Sequence, residues 1–216
     1  MYIAKTPSRA RKPRPYKKLG AIMAEIRLQT PLTEDVIRKL KLEDTVYIDG
    51  HVYGIRDATQ IRIFDQGIAP PTDLTGAVCI HTAPGVKKLP NGKYEKVCIG
   101  TTTSTRMNRF FPGLIKQYGV RAMIGKAGFL QDTVDAMKVD GGVYLAIVGG
   151  AAALETEQIV EIEQVWREDL MPECLWKFRV KDFGPLIVAI DAHGNSLYKN
   201  VKAAAADRMK ELMANL

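Results

Sequence analysis

The run Gly100-Thr101-Thr102-Thr103-Ser104-Thr105-Arg106 places five hydroxyls and a guanidinium within seven residues. An apolar strand-like segment precedes it and a helix-like stretch follows. Backbone amides at a helix start attract anions, and the hydroxyls and Arg106 add donors at the same spot. The chemistry this suits is capture of a carboxylate or phosphate; a Ser/Thr-rich turn with ordinary capping is the competing reading. Gly54-Ile55-Arg56-Asp57 sets a second guanidinium at the end of an alternating segment. Pairing of Arg56 with Asp57 or Asp65 would make it a plain surface residue. Gly125-Lys126-Ala127-Gly128 sets an ammonium between glycines, where backbone and ligand can approach closely. A solvated loop lysine is the bland alternative. If the three loops converge, a dicarboxylate is the natural guest, because Arg forks match carboxylates and Lys supplies a point charge. Phosphate fits less well, since the P-loop pattern is absent.

Other chemistry-bearing types are weaker candidates. Gly149-Gly150-Ala151-Ala152-Ala153 opens a helix with small residues, which favours tight helix–sheet packing over anion binding. His51, His81 and His193 share no ligand spacing and read as structural or surface residues. Cys79 and Cys98 fall in strands and read as buried, and Cys174 as half-buried. Glu173 and Trp176 lie at a strand start, with packing as the default role and a supporting role at the site as the alternative.

The elements that must hold these residues follow from periodicity. Residues 25–31 are extended. Thr33 caps a helix whose apolar face is Val36, Ile37 and Leu40. Residues 45–49 and 51–55 alternate on either side of Asp49-Gly50, which reads as a hairpin turn. Residues 77–81 and 94–99 are two further strands flanking the turn-rich 84–93. Residues 107–118 are helix-like, with Pro112 and Gly113 predicting a late start or a kink. From residue 120 strands and helices alternate: strand 120–124, helix 130–138, buried strand 143–148, helix 151–164, strands 175–180 and 186–190. A final helix, capped by Asn195 or Ser196, runs to Leu216. The expectation is one α/β domain, hairpin-rich in its first half, with helices packed on a mixed sheet.

Composition narrows the function class. The chain has 216 residues, 46% hydrophobic and 25% charged, long enough for one well-cored domain. No window approaches the ~18 apolar residues of a membrane span. Three cysteines with wide gaps exclude a disulfide framework and a self-contained zinc knuckle, and suit a reducing compartment. The net charge of +7 is local: residues 1–20 hold seven Lys or Arg and no acid, and the other 24 basic residues balance all 24 acids. With Pro7, Pro13 and Pro15 that segment is expected to be a disordered extension, 1–22, ahead of a domain at 23–216. A natural start at Met23, a targeting peptide, and a basic arm for nucleic acid or a membrane surface are the other readings of it.

The run from Gly100 to Met107 resembles the Gly-x-Thr-Thr-x-x-Arg-Met signature of the iron–sulfur hydro-lyases, class I fumarase and L-tartrate dehydratase, in their β subunit or fused C-terminal domain. The resemblance extends from Ile26 to Tyr198. It is supported by Asp49-Gly50 with Arg56-Asp57, by Gly125-Lys126-Ala127-Gly128, and by Ala-Ile-Val-Gly-Gly-Ala-Ala-Ala from Ala146 to Ala153. Met171-Pro172-Glu173 with Trp176, Phe183-Gly184-Pro185-Leu186, Asp191 and Gly194-Asn195 add to it.

The resemblance implies a swivelling β/β/α domain. It implies an α-subunit partner that carries a [4Fe–4S] cluster, no metal ligands on this chain, a small dicarboxylate substrate, an α2β2 assembly and a cytoplasmic setting. Arg56, Arg106 and Lys126 would bind the diacid, Thr101 and Thr103 would add contacts, and Thr102 would take part in proton transfer with Arg106 and Lys126 assisting. An unassisted hydroxyl is a poor base, so Thr102 would need a helper from the partner. One position departs from the family: Arg56-Asp57-Ala58-Thr59 is followed by Gln60 where many relatives have a histidine, and Gln cannot shuttle a proton at neutral pH. Fumarate hydratase is the leading expectation, with the 146–153 segment in its favour, and L(+)-tartrate dehydratase is the close variant. A non-catalytic module with a nucleic-acid-binding tail is the reading from another class.

Overall fold

The computed structural model describes residues 25–148 and 152–214. The expected basic extension and the Gly149-Gly150-Ala151 start of the small-residue helix lie outside them. Seven strands form one sheet in the order β1 (Glu25–Gln29), β2 (Thr45–Ile55), β3 (Val78–His81), β6 (Ala122–Gly125), β7 (Val143–Ala146), β9 (Leu175–Ile190), β8 (Ile159–Trp166). The first five run parallel, and β9 is antiparallel to β7 and β8. Because β9 also pairs with β2, the strands β2, β3, β6, β7 and β9 close on one another. A separate hairpin joins β4 (Gly85–Lys88) to β5 (Tyr94–Cys98).

The central strands β3, β6 and β7 are apolar but for His81 because both their faces are buried. Val78, Ile80, Ala122, Ile124, Val143 and Leu145 point into a core shared with Trp176, Phe178 and Val180 of β9. Cys79, Met123 and Tyr144, the alternate residues, point into a second core. There they meet Phe111, Leu114 and Ile115 of α3 (Phe111–Tyr118) and Val134 and Met137 of α4 (Gln131–Asp140). The layers are therefore the β8–β9 arm with the hairpin, the parallel sheet, and the helices. Each large apolar side chain so buried contributes about 1.5–3 kcal/mol.

Several expectations hold. Thr33 caps α1 (Glu34–Ile37) by accepting from the Val36 amide, and Ser196 caps α6 (Leu197–Met213) through the Lys199 amide. The helix after Arg106 does start late, at Phe111, with Pro112 in its first turn. No helix among the described residues is long and apolar enough to cross a membrane.

Four expectations are corrected. Residues 45–55 form one strand, not a hairpin: Gly50 has φ +103 and sits at a register shift against β9, so its left-handed backbone makes a bulge where a turn was expected. Asp49 pins that bulge, accepting from the Asp182 amide at 2.7 Å and pairing with Lys181 at 2.9 Å. Residues 175–190 are likewise one strand, which passes through Asp182 and Gly184 at positive φ. There the Gln158 carboxamide replaces ladder bonds, accepting from the Gly184 amide at 2.9 Å and donating to its carbonyl at 2.6 Å.

Of the helix expected over 151–164, the described residues form α5 (Ala152–Glu155), a 3-10 turn at Thr156–Gln158 and then β8. Ile159, Ile162 and Val165 recur every three residues like a helix face. Register shifts between Ile159 and Glu161 and between Ile162 and Gln164 give the strand that same period. Last, Cys98 is only half-buried and Cys174 is fully buried, the reverse of expectation. Also absent from the sequence reading are β4, α2 (Asp57–Phe64) and the 3-10 turn Glu168–Leu170.

Candidate functional site

The parallel strands deliver their carboxyl ends to one edge, the usual place for a ligand in such sheets. Arg56 follows β2, Thr82 follows β3 and Lys126 follows β6. The hydroxyl-rich run crosses these ends as an added extended segment. Thr101 bridges to Thr82, and Thr103 bridges to Lys126. The Thr102 amide donates to the His81 carbonyl at 2.7 Å, and the Ser104 amide to the Lys126 carbonyl at 2.9 Å. Gly100 starts the segment at φ +59, with the Ala83 carbonyl 2.9 Å from where a Cβ would sit. After Ser104 the chain turns in a short 3-10 helix, Ser104–Met107, which lifts Arg106 into solvent while Met107 anchors it in the core.

All six residues singled out in the sequence thus lie on this edge: Arg56, Thr101, Thr102, Thr103, Arg106 and Lys126. Thr101 is buried, and its hydroxyl has no partner among the described residues. Thr102, Thr103 and Lys126 are half-buried. Arg56 sits at the N-terminus of α2, its Nε 3.2 Å from Asp57 Oδ2 and 3.3 Å from Glu173 Oε1. Arg106 Nη2 lies 2.6 Å from the same Asp57 oxygen. The pairing of Arg56 with Asp57 is real, whereas Asp65 is taken by Arg109 in a two-pronged contact at 2.6 and 2.7 Å. Two carboxylates therefore stand among the three cations, and the guanidiniums are held in place and partly neutralised.

For Glu173, whose default reading from sequence is packing with a supporting role as the alternative, the structure shows the supporting role. Its Oε2 accepts from the Ala58 amide at 2.9 Å, and its carbonyl accepts from the Thr59 hydroxyl at 2.6 Å. A carboxylate on free amides at a helix N-terminus is a cap, here supplied by a residue 115 positions away. No local signal betrays such a partner. One turn into α2, Gln60 is fully buried, and neither its Oε1 nor its Nε2 has a partner among the described residues.

A buried polar chain lies beneath the hydroxyl run. His81 Nδ1 is 2.9 Å from Ser104 Oγ, and the Tyr144 hydroxyl donates to Ser104 Oγ at 2.9 Å. Burial pushes His81 down to about 3; the Arg106 charge adds to this and Asp57 opposes it, so the ring is neutral at physiological pH. Burial likewise raises Tyr144, with the Ser104 bond opposing. The glycine before Lys126 serves this chain, not a ligand: a Cβ at Gly125 would overlap the Ser104 hydroxyl and lie 3.0 Å from Tyr144 Oη.

Among the described residues no three His, Cys, Asp or Glu side chains group closely enough to hold a metal. Cys79 is buried and pushed up to about 12, and Cys174 is pushed up to about 11, both by burial. Such thiols do not suit a cluster, whose ligands are thiolates. What the edge offers is a set of held guanidiniums, a lysine and aligned hydroxyls, suited to binding a small dianion and to moving a proton at a hydroxyl.

Comparison with known proteins agrees with this chemistry. The family model described as Fumarase C-terminus matches residues 2–201. A Geobacillus stearothermophilus protein named for class I fumarate hydratase is 39% identical over 190 residues, covering 86% of this chain but 36% of its own length. A Methanocaldococcus jannaschii protein named for the β subunit of L(+)-tartrate dehydratase is 37% identical, covering 84% of this chain and 95% of its own. The L(+)-tartrate dehydratase subunit beta of Escherichia coli K12 is 37% identical, covering 88% of this chain and 94% of its own.

Proposed function

The chain belongs to the fumarase C-terminus family, and from that premise we propose that it is the β subunit of a hydro-lyase acting on a small dicarboxylate, with fumarate hydratase as the leading activity. The observation that carries the reading is the meeting of the Arg56, Arg106 and Lys126 loops beside Thr102 on one sheet edge. Relatives named as β subunits support an α-subunit partner. By this reading the α subunit carries the [4Fe–4S] cluster, the assembly is α2β2 and the setting is cytoplasmic. The described residues of this chain do not fit the cluster, and the steps below concern this chain alone.

Adding water to fumarate forms one C–O and one C–H bond and changes no oxidation state overall. The diacid is held by its carboxylates. Arg106, half exposed, exchanges its Asp57 partner for a substrate carboxylate, and Arg56 stays tied to Asp57 and Glu173 as the fixed wall. Lys126 faces the negative charge that develops on a carboxylate when the carbon beside it is a carbanion. Thr102 Oγ gives the proton to that carbon in hydration, and its alkoxide, favoured by the surrounding cations, is restored by the proton that water loses as its O–H bond breaks; dehydration reverses both transfers.

L(+)-tartrate dehydratase is the second reading, favoured by relatives whose whole length this chain nearly spans. There the same loss of water yields an enol that becomes oxaloacetate. Anaerobic co-expression with the α subunit, then assay on malate, fumarate and L-tartrate, tests both. Turnover is expected only with both subunits. Arg106→Ala and Lys126→Ala should each lose about 10²–10³ in kcat/KM. Unchanged turnover in either variant removes that residue from the site, and no turnover of any of the three diacids by the wild-type pair overturns the reading.

A further inference from the structure

We propose that His81 is a positioning residue for Thr102, locked in one tautomer by a buried hydrogen-bond chain that starts at Tyr144 and passes through Ser104. The proposal rests on the reading of Thr102 as the proton-transfer group.

His81 ties the hydroxyl run at two points. Its carbonyl accepts from the Thr102 amide at 2.7 Å, and its ring Nδ1 meets Ser104 Oγ at 2.9 Å. The ring itself is fully buried and edge-on to Phe129, with centroids 6.0 Å apart at 85°. The chain of groups spans three adjacent strands: His81 ends β3, Tyr144 stands in β7, and Gly125 of β6 lies between them. The missing side chain of Gly125 gives Ser104 and Tyr144 the room to meet. Ser104, Tyr144 and Gly125 thus have one shared task, which packing alone would not require of a serine hydroxyl.

Proton bookkeeping fixes the direction. If Tyr144 donates to Ser104, and Ser104 donates to Nδ1, every proton but one has an acceptor, the exception being Nε2–H. If instead Nδ1–H donates to Ser104 beside the Tyr144 hydroxyl, both the Ser104 proton and the Nε2 lone pair are left over. Orphaned buried groups are costly, so the first arrangement prevails. His81 then accepts at Nδ1, stays neutral, and fixes the Ser104 end of the run while its carbonyl fixes the Thr102 end. A displacement of ~1 Å at a reacting group costs on the order of a hundredfold in rate.

The tautomer is read without any activity. In 15N NMR of the wild-type full chain, the His81 ring should be neutral from pH 5 to 8, with Nε2 protonated and Nδ1 bare. A proton on Nδ1, or titration of the ring in that range, overturns the proposal. Amide exchange gives the second reading: Thr102 should lose at least about tenfold protection in His81→Leu and keep it in His81→Asn, whose carboxamide retains an acceptor near Nδ1. In the αβ enzyme His81→Leu should lose about a hundredfold in kcat with KM changed less than threefold, and His81→Asn should recover most of it. Equal losses in the two variants, or none in His81→Leu, overturn it. A wild-type pair inactive on every diacid sinks the functional reading and with it the catalytic purpose of the positioning, while the NMR and exchange results still judge the locked tautomer and the hold on Thr102 by themselves.

Discussion

Arg106 Nη2 lies 2.6 Å from Asp57 Oδ2, although 49 positions separate the two residues. The same oxygen faces Arg56 Nε at 3.2 Å. One carboxylate therefore sets the spacing of two guanidiniums, and a diacid must compete with it for Arg106. Asp57→Asn keeps the size of the side chain and removes its charge. Since Arg106 is 51% exposed, the ion pair contributes at most about 1 kcal/mol to stability. The expected result is a urea midpoint nearly unchanged and a KM for the diacid raised about tenfold, because Arg106 is no longer pre-placed. A KM that falls would mean that competition by Asp57 outweighs its guidance.

Glu173 should matter for α2 more than its position at a strand start implies. Its carboxylate accepts from the Ala58 amide and faces Arg56, and its side chain is 23% exposed. Glu173→Ala uncaps the helix that carries Asp57, at a cost of about 0.5–2 kcal/mol. Glu173→Gln keeps an acceptor for the amide and should recover about half of that. Urea unfolding of the three proteins checks this; an Ala variant as stable as wild type removes the cap from the account.

What could be read in the chain and what could not divide along a physical line. Arg56, Arg106, Lys126 and the threonines declare themselves by type, and their arrival at one edge follows from each standing directly after a strand or in the run beyond one. Their counter-charges do not, because the choice of Glu173 for the start of α2 is made across 115 positions. His81, Ser104 and Tyr144 meet only through the strand order β3-β6-β7 and the absence of a Cβ at Gly125. β8 misleads for another reason: its bulges give Ile159, Ile162 and Val165 the spacing of a helix. The long strands β2 and β9 hide behind Asp49-Gly50 and Gly184-Pro185, residues that bend a strand as readily as they end one.

Gln60 is a polar residue in an apolar place. Its carboxamide is fully buried, with both polar atoms unpartnered among the described residues. Leaving such a group unpaired costs about 1–3 kcal/mol, and an apolar side chain of similar volume avoids the cost. Gln60→Met is expected to stabilise the protein by about 1 kcal/mol or more in urea unfolding. Destabilisation would show that the carboxamide has a bound partner, such as an internal water.

The buried imidazole makes stability depend on pH between its folded value and its ordinary one. His81 goes from an ordinary 6.5 to about 3 on folding, chiefly through burial, with Asp57 raising it and Arg106 lowering it. The unfolded chain therefore binds a proton between those values that the folded chain refuses. Stability is full above about pH 6.5, falls as the pH drops, and stops falling near the folded value, with a slope approaching ~1.4 kcal/mol per unit. The carboxylates held low by partners, Glu34, Asp65, Asp73, Glu161, Glu168 and Asp169, act at more acid pH, where unfolded carboxyls take up protons. Between pH 5 and 6.5 His81 therefore contributes a loss that these carboxylates do not, and its share is the difference between wild type and a His81 variant. Urea unfolding at several pH values, on wild type and His81→Asn, separates the contributions: the wild type should lose on the order of 1–2 kcal/mol across the window and the variant much less. Equal slopes would mean that His81 accepts its proton in the folded state as easily as in the unfolded one, which its sealed position between β3, Ser104 and Phe129 does not allow.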